Sequence, residues 1–202
     1  MTQTQVSDQQ ARAHLPPLTV AEFFDRYSDV PAEVVNGEVV IMSPNQRDSM
    51  TVAEDLFIDL RGFVKEHNLG VVSMETAFVL DADPRTDWVR GARQPDVAFV
   101  ARERAAAHDA EHGRKGPWRL APDLAAEVVS PTDKYSDIME KVADYLRYGV
   151  QLVWLISPEA RSVRIFTPDD PDGHTLHASD TLSADPVIPG WSMPVARLFE
   201  GG

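Results

Sequence analysis

The sequence contains no cysteine among its 202 residues. This absence excludes disulfide bonds, thiolate metal sites and cysteine nucleophiles. No stretch approaches the ~18 consecutive apolar residues that a membrane-spanning helix needs, and the N-terminal segment lacks the apolar core of a signal peptide. We therefore expect a cytoplasmic protein that does not enter a membrane.

Positive charge is also scarce, because 19 lysines and arginines face 32 aspartates and glutamates and the net charge is −13. This balance argues against nonspecific nucleic-acid binding, which depends on neutralising phosphates. Between Arg85 and Arg119, however, eight basic residues outnumber five acidic ones. That segment is either a local basic face or a solvated loop of mixed charge.

The residues that are present have the composition of a soluble globular protein, with 43% hydrophobic and 25% charged residues. Residues 1–17 are polar and end in two prolines, which predicts a flexible tail. Residues 18–202 are long enough to form one domain with its own core.

The order of the predicted elements indicates a mixed α/β (α+β) fold, in which helices flank a central β-sheet. Neither a regular alternation of strands and helices nor a succession of strands alone fits the pattern. The predicted elements are a helix capped by Thr19, a hairpin at Asn36-Gly37, a helix over 49–67, a strand over 71–80, a polar loop over 81–93, a strand over 94–100, a helix over 101–112, a strand over 124–129, a helix over 138–148 and a strand over 151–156, followed by shorter strands.

The hairpin places two glutamates on one side. Asn36-Gly37 between β-branched residues predicts a two-residue type I′ turn. In that register Glu33 lies opposite Val40, and Glu38 follows the turn. Because side chains alternate along a strand, Glu33 and Glu38 fall on the same face. This face is either solvated or the rim of a site.

A single carboxylate interrupts an otherwise apolar strand. Residues Leu124–Val129 are apolar except for Glu127, and Pro131 stops the strand. An ionised carboxylate in such a strand is costly unless a cation meets it. Two partners are available: a metal ion shared with Asp96, and Lys141 on the following helix.

Asp96 begins one predicted strand and Glu127 ends another, so their carboxylates meet if the strands are neighbours. Their oxygens suit Mg²⁺, for which Mn²⁺ can substitute, and the Val128 carbonyl could complete the ligand set. Lys141 would then orient or activate the water that attacks a phosphodiester, or neutralise the developing charge. The alternative is structural: Asp96 caps a turn, and Glu127 forms an ion pair with Lys141.

The segments Pro95-Asp96 and Glu127-Val128-Val129 resemble the PD-(D/E)XK motif of restriction-endonuclease-like proteins. That motif places a lysine two residues after the second acid, where this chain has Val129, so Lys141 must reach in from the helix. This migrated arrangement resembles the Uma-two family of bacterial endonucleases. The resemblance covers most of the chain after residue 18, through Glu33–Glu38, Met42–Pro44, Gln94–Val97, Pro122–Pro131, Asp137, Lys141, Tyr145, Gly149-Val150, Trp154–Ile156 and Ile188–Trp191.

The resemblance implies a restriction-endonuclease-like core and a metal-dependent endonuclease that hydrolyses phosphodiester bonds of nucleic acid. DNA is the default substrate and RNA the alternative. Asp96 and Glu127, with Val128, would bind Mg²⁺, and Lys141 would assist the attacking water. The family often carries a histidine at the start of the second helix, where this chain reads Asp48-Ser49-Met50.

Five further residues are expected to support the site. Glu33 would add a metal ligand or a water-mediated contact. Asp137 would position the catalytic lysine through an i, i+4 pair, and Tyr145 would cover the site. Glu38 and Gln94 lie in the segments that carry the resemblance.

The same fold also hosts domains without catalytic activity. The alternative function is therefore a catalytically inactive nuclease-fold domain that binds nucleic acid or protein. The acidic net charge and the displaced lysine favour this alternative. Nucleases of this fold often pair their active sites, so a homodimer is an expectation by analogy.

Overall fold

The computed structural model of the chain describes residues 12–13, 17–42 and 47–200. Most of the predicted tail therefore lies outside the described residues. Its described part includes a two-residue strand, Arg12–Ala13, that pairs with Val39 and Val40 of the hairpin. Within the described ranges, no helix is long and apolar enough to cross a membrane.

Two larger β-sheets with helices packed against them dominate the described part of the chain, and this confirms the predicted mixed α/β fold. The helices are α1 (Val20–Tyr27), α2 (Arg47–Glu66), α3 (Arg102–His112) and α4 (Tyr135–Arg147), and a short 3-10 helix spans Val195–Phe199. The strands are β1 (Arg12–Ala13), β2 (Ala32–Val35), β3 (Glu38–Ile41), β4 (Gly70–Met74), β5 (Phe78–Ala82), β6 (Val89–Arg93), β7 (Val97–Ala101), β8 (Leu124–Val128), β9 (Leu152–Ser157), β10 (Ser162–Thr167), β11 (Asp170–His177), β12 (Thr181–Ser183) and β13 (Ser192–Pro194).

The larger sheet contains six strands in the order β11-β10-β9-β8-β7-β4. β8 and β9 run parallel, whereas their other neighbours in this sheet run antiparallel. Parallel neighbours need a long crossover connection, and α4 provides it. α4 therefore packs on the sheet against β8, the strand that it follows.

Helices cover both faces of this sheet, and β8 shows which side chain meets which helix. Leu124 and Ala126 pack in the core cluster that contains Leu56 of α2, whereas Ala125 packs with Val142 of α4. Because successive side chains of a strand point to opposite faces, Glu127 points to the side of α4.

The smaller sheet contains five strands in the order β1-β3-β2-β6-β5. The predicted hairpin lies within it and is confirmed: Asn36 and Gly37 have φ of +52° and +82°, and Glu33 pairs with Val40. The register also places Glu38 opposite Val35. Glu33 and Glu38 therefore share a face, as predicted.

Two predicted elements are wrong in their boundaries. The strand predicted over 71–80 is split into β4 and β5, which belong to different sheets, and Glu75 between them takes a φ of +44°. The polar loop predicted over 81–93 contains the end of β5 and all of β6. The arginines of this segment made it look solvated, although Arg93 is buried.

The charged segment from Arg85 to Arg119 is largely a set of ion pairs rather than a basic face. Four of its arginines on the surface pair with nearby carboxylates, which supports the interpretation of mixed charge. The pairs on this part of the surface are Arg90–Asp83, Arg104–Asp123, Arg114–Asp109 and Arg119–Asp87.

Candidate active site

Asp96 and Glu127 come together because β7 and β8 are neighbours. The strands run antiparallel with Val97 opposite Ala126. One step further along this register, Asp96 lies opposite Glu127. Asp96 Oδ2 accepts a hydrogen bond from the Val128 amide at 2.7 Å. The sequence left open whether the two strands are neighbours, and the sheet order shows that they are.

Lys141 reaches these carboxylates from α4. Its Nζ lies 3.2 Å from Glu127 Oε2 and 2.9 Å from Glu33 Oε1, and its side chain is only 14% exposed. The lysine therefore bridges a carboxylate of the larger sheet and a carboxylate of the hairpin.

Tyr145 lies one turn beyond Lys141 on α4. Its hydroxyl donates a hydrogen bond to Glu127 Oε1 at 2.6 Å, and the side chain is completely buried. The same face of α4 thus supplies a donor to each oxygen of Glu127. Tyr145 was predicted to cover the site, but it is instead a buried hydrogen-bond donor that orients the Glu127 carboxylate.

Glu33 is one of the most deeply buried charged residues described, with 1% of its surface exposed. Besides Lys141, its Oε1 accepts a hydrogen bond from the Gln94 amide at 3.2 Å, and its Oε2 accepts one from Arg93 Nη1 at 2.8 Å. The inner end of the hairpin face is therefore part of the site, whereas Glu38 lies closer to solvent and is only half-buried.

Arg93 and Asp144 complete the cluster, and sequence reasoning missed both. Arg93 donates to Asp144 Oδ2 from Nη2 at 2.5 Å and from Nε at 3.1 Å. Arg93 lies in the segment predicted as a loop. For Asp144 a signal was present, because Lys141, Asp144 and Tyr145 stand at helical spacings of three and four and so share one face.

Asp137 does not play its predicted part. Its carboxylate accepts a hydrogen bond from Ser136 Oγ at 3.1 Å, while Lys141 turns to Glu33 and Glu127. The predicted i, i+4 pair is wrong because two buried carboxylates attract the ammonium group more strongly than one carboxylate near water.

Gln94 supports the site through main-chain contacts. Its side-chain amide donates to the Glu75 carbonyl at 2.7 Å, and the Glu75 amide donates to the Asp96 carbonyl at 3.2 Å. Gln94 thus ties the end of β4 to the segment that carries Asp96.

Burial and neighbouring charges shift the pKa values of the cluster. Burial raises the pKa of Glu127 to about 7; Lys141 opposes this rise, and the other carboxylates add to it. Burial would raise the pKa of Glu33, but Lys141 and Arg93 lower it below its ordinary value. Burial would lower the pKa of Lys141, but Glu127, Glu33 and Asp96 together raise it. Lys141 is therefore an ammonium ion and Glu33 a carboxylate at neutral pH.

The donor set suits a hard divalent cation. Three buried carboxylates, those of Glu33, Asp96 and Glu127, face two cations, Arg93 and Lys141. In the part of the chain that the structure describes, no group of three or more histidine, aspartate or glutamate side chains is arranged as a metal cage. Mg²⁺ needs no such cage, because it is usually held by one or two carboxylates and several waters. Glu127 Oε2 accepts a hydrogen bond from Lys141 and Oε1 accepts one from Tyr145, so each oxygen keeps a further lone pair for a metal ion.

A cleft opens between the hairpin and the start of α4 and leads to Lys141. Val35, Val40 and Met42 line its hairpin side, and Asp137 and Glu140 line its helix side. Glu33 and Arg93 also line this cleft, so it reaches three members of the charged cluster.

Fold and site together define a mixed α/β protein that carries a buried carboxylate–lysine cluster at the end of a central strand. The Uma2 family, described as "Putative restriction endonuclease", matches residues 20–196. The chain belongs to this family, and the resemblance seen in the sequence is confirmed.

The fold is also that of a crystal structure from Anabaena variabilis ATCC 29413, described as "a putative nuclease belonging to DUF820". The two chains are 16% identical, with a TM-score of 0.73 over 91% of this chain and 98% of the other. At this identity the similarity shows a shared fold. No curated protein matches the chain.

Proposed function

We propose that the chain is a divalent-metal-dependent endonuclease that hydrolyses phosphodiester bonds of DNA. The observation that carries this proposal is the position of Lys141 Nζ, 3.2 Å from Glu127 Oε2, on the strand end where Asp96 lies opposite Glu127. The three residue types of the nuclease motif therefore meet, although the lysine comes from another element. Membership of a family described as "Putative restriction endonuclease" supports the same function.

Asp96, Glu127 and the main-chain carbonyl of Val128 would hold Mg²⁺, for which Mn²⁺ can substitute. When bound, the metal would polarise the phosphate and lower the pKa of a coordinated water. Oxygen donors of this kind select these hard cations. The excess of buried carboxylates over buried cations favours the binding of a further positive charge.

Lys141 acts by its charge. Because the neighbouring carboxylates raise its pKa, it stays protonated and does not serve as a general base. An ammonium group beside the reacting phosphate neutralises the charge that develops on the phosphoryl oxygens and can donate a hydrogen bond to the attacking water. Glu33 and Tyr145 hold this arrangement in place, on either side of the Lys141–Glu127 contact.

The start of α4 offers contacts for a nucleic-acid strand. Lys134 is exposed, and Tyr135 is 64% exposed although it is a large aromatic residue. Arg164 of β10 lies in the same cross-strand row as Glu127, with Leu155 between them, and its Nη1 is 3.5 Å from the Tyr135 hydroxyl. Cations that meet phosphates beside an aromatic ring that stacks on a base are the usual means of holding a single strand.

The test is cleavage of double-stranded DNA, single-stranded DNA and RNA by the purified protein with Mg²⁺ or Mn²⁺. We expect cleavage of DNA that EDTA abolishes, and a loss of at least about a hundredfold in Glu127→Gln and Asp96→Asn. Asp59→Asn is the matched control, because Asp59 is a partly buried acid that contacts Trp191 on the opposite side of the sheet.

Calorimetric titration with Mn²⁺ separates binding from cleavage. We expect wild-type protein to bind Mn²⁺ and Asp96→Asn to lose this binding. Absence of cleavage with every nucleic acid and metal would contradict the proposed catalysis and favour a nuclease-fold domain that only binds. Native mass spectrometry tests the expected homodimer separately.

A further inference from the structure

A line of alternating charges connects the two sheets through α4. It runs from Asp144 to Arg93, Glu33, Lys141 and Glu127, with neighbouring contacts of 2.5, 2.8, 2.9 and 3.2 Å. The larger sheet supplies Glu127, the smaller sheet supplies Glu33 and Arg93, and the helix supplies the other two.

We infer that Arg93 and Asp144 are positioning residues for Lys141 and that they act through Glu33. The catalytic part of this inference rests on the proposed nuclease function. The five-stranded sheet is then part of the site, because its Glu33 fixes Lys141 in position. β8 carries no lysine of its own beside Glu127.

Arg93 fixes the orientation of Glu33. Its planar guanidinium donates to Glu33 Oε2 from one nitrogen and to Asp144 Oδ2 from two others. Such a fork binds two carboxylates in a defined geometry, which a lysine ammonium does not do. With Oε2 engaged by Arg93, Oε1 of Glu33 is the oxygen directed at Lys141.

Lys141 needs a second anchor because it comes from a helix. A lysine two residues after Glu127 would be held beside the acid by the strand backbone, but that position is Val129. Lys141 instead reaches the site with a flexible four-carbon side chain. Its contact with Glu33 supplies the anchor, and Arg93 and Asp144 keep Glu33 in place.

The chain has four lysines, Lys65, Lys115, Lys134 and Lys141, so the reactivity of each amine can be followed separately. In wild-type protein we expect Lys141 to be acylated most slowly by an amine reagent read out by mass spectrometry. Arg93→Gln and Asp144→Asn should raise its acylation rate about tenfold or more, while the other lysines stay unchanged. Asp144→Asn keeps the shape of a half-buried side chain. It tests the same inference if Arg93→Gln does not fold.

Arg104→Gln is the matched control. It removes an ion pair of similar length, 2.6 Å to Asp123, on α3 and away from Lys141. We expect Arg104→Gln to leave the acylation of Lys141 unchanged. The inference is overturned if Arg93→Gln and Asp144→Asn leave the Lys141 rate unchanged, or raise it no more than Arg104→Gln at an equal loss of thermal stability.

Cleavage kinetics give the second readout. Asp144→Asn and Arg93→Lys should lower kcat about tenfold with KM changed less than about twofold, since the residues act on the lysine and not on substrate binding. If the wild type does not cleave nucleic acid, the proposed function fails, and the acylation rates still decide whether Arg93 positions Lys141. If the wild type cleaves and the Lys141 rates do not change, only the inference fails.

Discussion

Lys141 Nζ lies 2.9 Å from Glu33 Oε1, closer than the 3.2 Å that separates it from Glu127 Oε2. The lysine is thus bound at least as closely to the hairpin as to the strand that carries the central acid. The site therefore spans both sheets, and its properties depend on residues that a motif on one strand does not include.

The pKa of Glu127 makes the stability of the metal-free protein depend on pH. Folding raises this pKa from an ordinary value of 4.5 to about 7, so the folded state favours the protonated acid. The stabilisation is present below the unfolded pKa and is lost as the pH rises through the folded pKa. In EDTA, we expect the stability of Glu127→Gln relative to wild type to increase from about pH 5 to about pH 8. The free energy of unfolding should shift in favour of the variant by an amount of the order of 3 kcal/mol over this range, as thermal unfolding would show. A difference that does not change with pH would contradict this assignment.

Removing the charge of Lys141 should affect stability and metal binding in opposite directions. Lys141→Met leaves Glu33 and Glu127 buried without their shared cation, which should cost about 3–5 kcal/mol in the free energy of unfolding. The same variant should bind Mn²⁺ more tightly than wild type, because the ammonium no longer competes for Glu127, and should not cleave DNA. Urea denaturation and calorimetry measure the two effects, with Lys65→Met at an exposed position of α2 as the control. Weaker Mn²⁺ binding by Lys141→Met would refute the competition.

Tyr145 should stabilise the ionised form of Glu127. Tyr145→Phe removes the donor at 2.6 Å from Oε1 and leaves most of the packing of the ring in place. We expect a loss of about 2 kcal/mol at pH 8, where Glu127 is charged, and a smaller loss at about pH 5, where it is protonated. Denaturation at the two pH values provides the measurement, and equal losses at both would show that the hydroxyl does not act on the carboxylate.

The exposed residues at the start of α4 should affect substrate binding and not the chemical step. Tyr135→Ala should raise KM for single-stranded DNA about tenfold by removing a stacking surface, with kcat nearly unchanged. Lys134→Ala should weaken the salt dependence of binding by the contribution of one phosphate contact. Phe24→Ala removes an aromatic residue that is 39% exposed on α1 and should leave KM unchanged. A fall in kcat without a change in KM would place Tyr135 outside the binding surface.

The sequence by itself determined the features that depend on neighbouring residues. Asn36-Gly37 specifies a turn with positive φ, and this turn sets the register that places Glu33 and Glu38 on one face. The capping box of Thr19 and Glu22 begins α1 as predicted. Glu127 stood out because one charge in an apolar strand requires a partner.

Only the tertiary structure decided how these parts meet. Arg93 looks like any other arginine of a polar segment, and it is buried only because Glu33 and Asp144, 60 and 51 residues away, neutralise it. Local spacing paired Lys141 with Asp137, but the folded chain offers the lysine two buried carboxylates. Turns and helix caps depend on adjacent residues, whereas burial and the strength of a charge pair depend on which distant strands become neighbours.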